Sequence, residues 1–442
     1  MSDTRETYKI LDLALRIGEL LLSSGAGAAD VTATMLGLTR HCGLRNADVD
    51  VTFTLLRMSY QEDPDEVPVL LTRNVTTRDI DYDDLTRVHH LIGQVLRDEV
   101  SLTEARAKVA RINSTGHYLP RWAIVLGNGA VGGAIAVVLG GDLVVTLVAT
   151  VAGTLVTLLT RTMNRDRWPM FYQQAAGGLL ATLLALGTAS LVSSIDTSLV
   201  ITANIVMLLS GISFMGAIQD ALSGFYLTAG ARVIEAMLAT AGLIAGVAGG
   251  IALAPTFGLN LAYVAPGETG RGIPGFVVVG AIVAAVAFAF TCYAPWRALP
   301  AIAVTTLLAH IVYLAVSSPT QSLPWAAACA AILIGLVSYS IAGRVGVPPL
   351  VVVVPALVPM LPGLQIYRGL SFMSAGDSQG ILSLTNAAAT TVALAAGVIL
   401  GEYAAQPLKR NVRKVEGRLA GPRMVGMLHG HLKPTRSGRG ES

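Results

Sequence analysis

Charge is what this sequence has least of. Of its 442 residues only 13% are charged and 53% are hydrophobic, and the mean hydropathy is +0.62. A water-soluble domain carries roughly twice that charged fraction, so lipid is the expected solvent for much of the chain. The net charge of +3 gives no case for a nucleic-acid partner. Cysteine is scarce too. Cys42, Cys292 and Cys329 are scattered and form no CxxC pair, which excludes a disulfide framework and a zinc site; all three read as small buried hydrophobes. No P-loop is present, which argues against ATP-driven transport by this chain alone. No G-x-S-x-G elbow or metal-spaced histidine pattern supports hydrolysis, and the adjacent His89 and His90 cannot both serve as ligands from one helix face. No metal or cofactor is expected. The opening residues MSDTRETYKI lack the basic-then-apolar pattern of a signal peptide.

Residues 1–120 read as a small soluble α/β domain. Tyr8–Leu22 has the apolar spacing of an amphipathic helix, SSGAGAAD breaks it, and Val31–His41 forms a second helix closed by Gly43. Asp48–Tyr60 and Val67–Val75 are rich in Val, Thr and Leu and flank the acidic QEDPDE turn, so they read as a hairpin. Tyr82–Glu99 is helical, and Ser101 with Glu104 makes a capping box before a short last helix. A hydrolase set can be assembled from Ser23, Ser24, Asp30 and His41, but gating or assembly suits this domain better than catalysis.

From Trp122 onward the character changes. Apolar runs of roughly 18–25 residues, each able to cross the hydrocarbon layer, recur at 122–140, 143–160, 171–193, 198–218, 229–253, 275–294, 299–317, 324–342, 349–367 and 382–403. The expected fold is a polytopic α-helical membrane protein with ten transmembrane helices. A basic tail, 406–442, follows. Arg106, Lys108, Arg111 and Arg121 precede the first span. Arg161, Arg165 and Arg167 follow the second, Arg297 and Arg344 lie in later loops on the same side, and Lys409, Arg410, Arg413, Lys414 and Arg418 follow the last. The positive-inside rule puts all of these, and both termini, in the cytoplasm.

The membrane part repeats itself. MLLSG (Met207–Gly211) resembles PMLPG (Pro359–Gly363), and AGVAGG (Ala245–Gly250) resembles AGVILG (Ala396–Gly401), at a near-constant offset. Five spans per repeat is an odd number, so two halves, 121–255 and 274–405, form an inverted repeat of the kind that secondary transporters use. The prolines of VVVVPALVPMLPGLQIYRGL then acquire a purpose. Pro359 and Pro362 remove backbone donors and free carbonyls, which is tolerated at membrane depth only inside protein or beside water. The matching break in the first half falls at Ser210–Gly211.

These motifs resemble the threonine/serine exporter family. SSGAGAADVTATMLGLTRHCGL resembles its N-terminal signature. FYQQAAGGLLATLL, DALSGFYLTAGARVIEA and VPPLVVVVPALVPMLPGLQIYRGL resemble its membrane signatures. The likeness covers nearly the whole chain. It implies a multi-pass protein of the bacterial inner membrane, not an enzyme. It also implies export of threonine and serine, coupled to the proton gradient in the manner of an antiporter. Relatives made of two subunits suggest small dicarboxylates such as succinate as an alternative substrate class. A receptor or hydrolase working through the N-terminal domain is a third reading.

Polar side chains inside the spans are the candidate site. Arg232 and Glu235 share one helix face and can pair, with Asp220 across the short DALSGFYLTAG turn. A zwitterionic substrate needs one anionic and one cationic partner, and proton coupling needs a carboxylate that can be neutralised within the protein. The proton-coupling candidates are Asp220, Glu235 and the span-seven His310. The substrate-binding candidates are Asn204, Ser210, Arg232, Pro359, Pro362, Gln365, Arg368 and Asn386. The amides, and His310, serve equally as helix–helix hydrogen-bond partners. Gln173, Gln174 and Glu402 stand at span ends, where interfacial water is the default surrounding. The Gly/Ala wealth of spans one, five and eight reads as close helix packing. The partners implied are a small amino acid, protons and the bilayer, with a homo-oligomer as one option.

Overall fold

The computed structural model describes residues 2–76, 78–191, 197–208, 211–258, 274–320, 322–374 and 376–409. The N-terminal part opens with α1 (Ser2–Ser23) and α2 (Ala28–His41). Three strands follow, β1 (Ala47–Thr52), β2 (Leu55–Tyr60) and β3 (Val69–Asn74), and then α3 (Tyr82–Leu96) and α4 (Leu102–Ser114). The apolar positions of α1 bury Leu11, Leu13, Leu15 and Ile17 completely or nearly so. Asp81 caps α3 by accepting the Asp84 N–H at 2.9 Å, and Ser101 caps α4 by accepting the Glu104 N–H at 3.3 Å, each satisfying a donor that the first helical turn leaves open.

One sequence expectation is corrected here. Asp48–Tyr60 is two strands, β1 and β2, and the chain reverses at Phe53–Thr54. Phe53 has a φ of 51°, a left-handed conformation uncommon for a bulky residue. Its N–H donates to Thr228 Oγ1 at 3.0 Å, so a distant residue holds the turn. β3 pairs with β2, as expected for the strands flanking the acidic turn, and the sheet is an antiparallel meander with β2 in the centre.

Among the described residues, eight helices are long and apolar enough to cross a membrane. They are α5 (Arg121–Val138), α6 (Leu143–Arg165), α7 (Met170–Leu191), α10 (Tyr226–Leu253), α11 (Pro274–Thr291), α12 (Leu299–Thr320), α13 (Leu323–Val345) and α16 (Gln379–Lys409). A ninth arises if α14 (Leu350–Leu357) and α15 (Gly363–Ser374) count as one span, bent by 45° at the proline break. The segment expected at 198–218 is a pair of 12-residue helices, α8 (Thr197–Leu208) and α9 (Gly211–Leu222), flanking residues outside the described set. The Gly/Pro stretch carrying Arg271 and the basic tail from Arg410 also lie outside it.

The order of elements repeats. Two long helices, a third, a broken pair and a final long helix run from α5 to α10 and again from α11 to α16. Each break restarts on a glycine, Gly211 in α9 and Gly363 in α15. In both halves the third and last helices lie against each other with glycine at the contact. A Cβ on Gly178 of α7 would come within 2.7 Å of the Leu243 carbonyl of α10, and one on Gly397 of α16 within 2.8 Å of the Ala328 carbonyl of α13. Small residues thus set the helix spacing.

The N-terminal part sits on one end of this bundle. The Tyr82 N–H donates to the Cys292 carbonyl at 2.8 Å, and the Tyr118 hydroxyl donates to the Ala294 carbonyl at 3.1 Å. His117 stacks on Tyr293 with ring centroids 3.9 Å apart. One continuous apolar core runs from Leu11, Met35 and Leu56 into Ala289 of α11, Ile302 of α12 and Val352 of α14.

Candidate functional site

A cavity of about 350 Å³ lies where the N-terminal part meets the bundle, within the roughly 300–1,000 Å³ range of small-molecule sites. The α1–α2 turn and the segment after β3 form one wall, with Gly27, Asp30, Arg78 and Asp79. The other wall is Ser213, Gly216, Gln219 and Asp220 of α9 and Arg232 and Glu235 of α10, and Leu350 and Val354 of α14 close the back.

Asp220 is the centre of this arrangement. Helix α2 starts after Gly27, which offers no side-chain cap, so its first amides need an acceptor from elsewhere. Asp220 supplies it. The Ala28 N–H donates to Asp220 Oδ1 at 3.0 Å, across 192 residues of sequence. A carboxylate at that position also suits the positive end of α2. The second oxygen, Oδ2, accepts from Arg232 Nη1 at 2.5 Å. Side-chain exposure is 3% for Asp220 and 13% for Arg232, so this is a buried, hydrogen-bonded ion pair. Gly216, one helical turn before Asp220, makes room for it: a Cβ there would stand 3.0 Å from Arg232 Nη1. Helical spacing had suggested an Arg232–Glu235 pair. The structure gives the arginine to Asp220 and leaves Glu235 exposed on the rim of the same cavity.

Arg78 is the residue that sequence reasoning missed. Its guanidinium lies over the Phe53 ring, 4.9 Å from the centroid. Its Nε is buried and has no hydrogen-bond acceptor among the described residues. Burial, and then the Arg232 charge, push the guanidinium below its usual range, and the Glu235 and Asp220 carboxylates offset only part of that. Asp30 also lines the cavity. Ser23, by contrast, donates to the Leu20 carbonyl, and His41 lies against Asp98, so no hydrolase set assembles with Asp30.

The other candidates fall elsewhere. Pro359 lies in a short 3-10 turn, and Pro362 opens α15 by accepting the Ile366 N–H at 3.0 Å. Neither lines the cavity; the broken segment reaches it through Leu350 and Val354, before the break. Gln365 faces Thr390 of α16, 3.5 Å from its hydroxyl, and Arg368 is half-buried on α15. Asn204 is fully buried in α8. Its amide donates to the Val200 carbonyl at 2.9 Å, and its Oδ1 has no partner among the described residues. Asn386 points outward from α16, away from the cavity. His310 is buried in α12 and stacks on Tyr313 with centroids 5.6 Å apart. Ser210 lies outside the described residues. Of the expected interfacial residues, Gln173 lines the cavity, and Glu402 is 5% exposed within α16, not the water-facing end position that sequence suggested.

Two family models match the chain, both described as threonine/serine exporter, over residues 12–254 and 277–404. A "Probable threonine/serine exporter" of Mycobacterium tuberculosis is 32% identical over 449 residues, covering 98% of this chain and 84% of that protein. A "Threonine/serine exporter" of Corynebacterium glutamicum is 32% identical over 430 residues, covering 93% of this chain and 86% of that one. No solved structure matches.

Proposed function

The chain belongs to the threonine/serine exporter family, and from that premise we propose that it exports threonine and serine through the cavity around Asp220. It is a multi-pass bacterial membrane protein and a transporter. The finer architecture is ten spans in two inverted halves, 121–255 and 274–405, with the broken pairs α8–α9 and α14–α15 each counted as one span. The 1–120 unit and the 406–442 tail are cytoplasmic. The basic residues Arg121, Arg161, Arg165, Arg167, Arg297 and Arg344 support this orientation, because they stand at the end of the bundle that carries the N-terminal unit. The cavity is then the inward-facing substrate site.

The observation that carries this reading is the double engagement of Asp220 by Arg232 and by the first amide of α2. The substrate carboxylate docks on Arg78, whose Nε has no acceptor among the described residues, and its ammonium on the rim carboxylates Glu235 and Asp30. Loss of the Asp220 charge frees Arg232 for the substrate carboxylate and loosens α2, so the state of this one pair governs how the site meets its substrate. Charge count decides between substrate classes. Among the described residues the cavity holds four carboxylates, Asp30, Asp79, Asp220 and Glu235, against two guanidiniums, Arg78 and Arg232. That surplus of negative charge suits an ammonium group and opposes a dicarboxylate. Counterflow in proteoliposomes with labelled threonine, serine and succinate tests it. Threonine and serine should exchange and succinate should not; exchange of succinate alone would overturn the assignment.

A further inference from the structure

A second cavity lies on the outside of the bundle, at the end that carries the N-terminal unit. It is an open groove of about 740 Å³ between the start of α5 and the end of α6. Three arginines converge on it from two helices: Arg121 from α5, and Arg161 and Arg165 from α6. None of them forms an ion pair among the described residues. Arg161 is aimed by its bond to the Arg121 carbonyl at 3.0 Å, whereas Arg121 and Arg165 are exposed. Helix α5 begins after Pro120 with no side-chain cap, so its first amides add a second source of positive potential. The floor of the groove is apolar. Trp122, Leu126 and Leu158 line it and are 67%, 55% and 48% exposed.

We infer that this groove binds an anionic phospholipid, its phosphate among Arg121, Arg161 and Arg165 and its acyl chain along Leu126 and Leu158. Basic pockets between spans on the cytoplasmic side hold acidic headgroups, and an indole at the same level favours the membrane interface. A free phosphate would use the arginines but gain nothing from the apolar floor. A second copy of the chain would have to bring carboxylates to three guanidiniums.

Native mass spectrometry of the full chain, offered equal phosphatidylglycerol and phosphatidylcholine, tests this. Phosphatidylglycerol should be retained preferentially. Each of Arg121→Gln and Arg165→Gln should cost about fivefold in that preference. Both residues are exposed, so folding is preserved, and an unchanged melting temperature in neutral detergent verifies it. Glycerol phosphate, added in excess, should not displace the lipid. Three results overturn the proposal: equal retention of the two lipids, a preference that survives both substitutions, or displacement by glycerol phosphate, which marks an anion site only. A mass of two chains without bound lipid also overturns it.

Discussion

Gly211 and Leu361 hold the two helix breaks against each other. A Cβ built on Gly211, the first residue of α9, would stand 3.2 Å from the Leu361 Cβ just before α15, tighter than ordinary contact. Motion of one broken pair must therefore be felt by the other. Gly211→Val should slow threonine flux several-fold in proteoliposomes while insertion and expression persist. Leu361→Ala in the same chain should restore part of the rate, because it vacates the space that the valine needs. Additive losses in the double variant would show that the two breaks act independently.

The Asp220–Arg232 pair yields a second prediction. Breaking a buried pair by removing one charge costs roughly 3–5 kcal/mol, because the other charge stays buried without compensation. Asp220→Asn should lower the melting temperature in detergent, and Asp220→Asn with Arg232→Gln should recover most of it. Threonine should stabilise Asp220→Asn more than the unaltered protein, because its carboxylate can take the vacated place beside Arg232. A smaller threonine-induced shift in Asp220→Asn would remove Arg232 from the substrate site.

Coupling provides a third. If Asp220 is the carboxylate that carries the coupled proton, Asp220→Asn should abolish accumulation driven by a pH gradient in inverted vesicles yet spare threonine exchange, which moves no net proton. Glu235→Gln, on the rim, should weaken binding in both assays. Accumulation that persists in Asp220→Asn would move the search to Glu235 and then to the buried His310.

Arg78 provides a fourth. A hydrogen-bonded charge contact is worth roughly 1.5–3 kcal/mol, so Arg78→Gln should weaken threonine binding by about ten- to a hundredfold. Arg78→Lys should not rescue it, because an ammonium neither lies flat on Phe53 nor grips a carboxylate with two parallel donors. Isothermal titration of both variants gives the comparison directly.

A fifth prediction concerns pH and the seam between the two parts. Burial, and next the Asp81 charge, raise the Asp84 carboxyl from its ordinary 3.8 to about 6. The folded state therefore binds more protons at this group than the unfolded state between those two values. Stability must fall as pH rises through that window and stay lower above it. Asp84→Asn should flatten that slope and raise the melting temperature at pH 7.5 but not at pH 3.5. An unchanged slope would place the loss in another group.

Much of the membrane architecture is legible in the sequence because lipid tolerates so few alternatives. The apolar run at 299–317 becomes α12 (Leu299–Thr320) and the run at 324–342 becomes α13 (Leu323–Val345). The polar contacts are less legible. SSGAG reads as a break between helices, which it is. That Gly27 leaves the Ala28 amide open for Asp220 depends on a contact 192 residues away, and no local pattern carries that. Arg78 stands in an irregular segment, with no periodicity to assign it a face. The β1–β2 turn escapes for the same reason: Phe53 carries no turn signature, and Thr228 of α10 holds it. The spacing of Arg232 and Glu235 offers a local partner, but the short turn between α9 and α10 delivers a closer one.

The single apolar core that joins Leu11 and Met35 to Ile302 and Val352 also sets an order of events at the ribosome. The N-terminal unit leaves the exit tunnel first, yet its inner face is completed by helices made much later. At roughly 5–20 residues per second, Asp220 follows Ala28 by about 10–40 seconds. Throughout that interval the opening amide of α2 lacks its acceptor, and the underside of the unit has only water or a chaperone to meet. Maturation of the N-terminal part is thus a late step, gated by insertion of the apolar part that follows it.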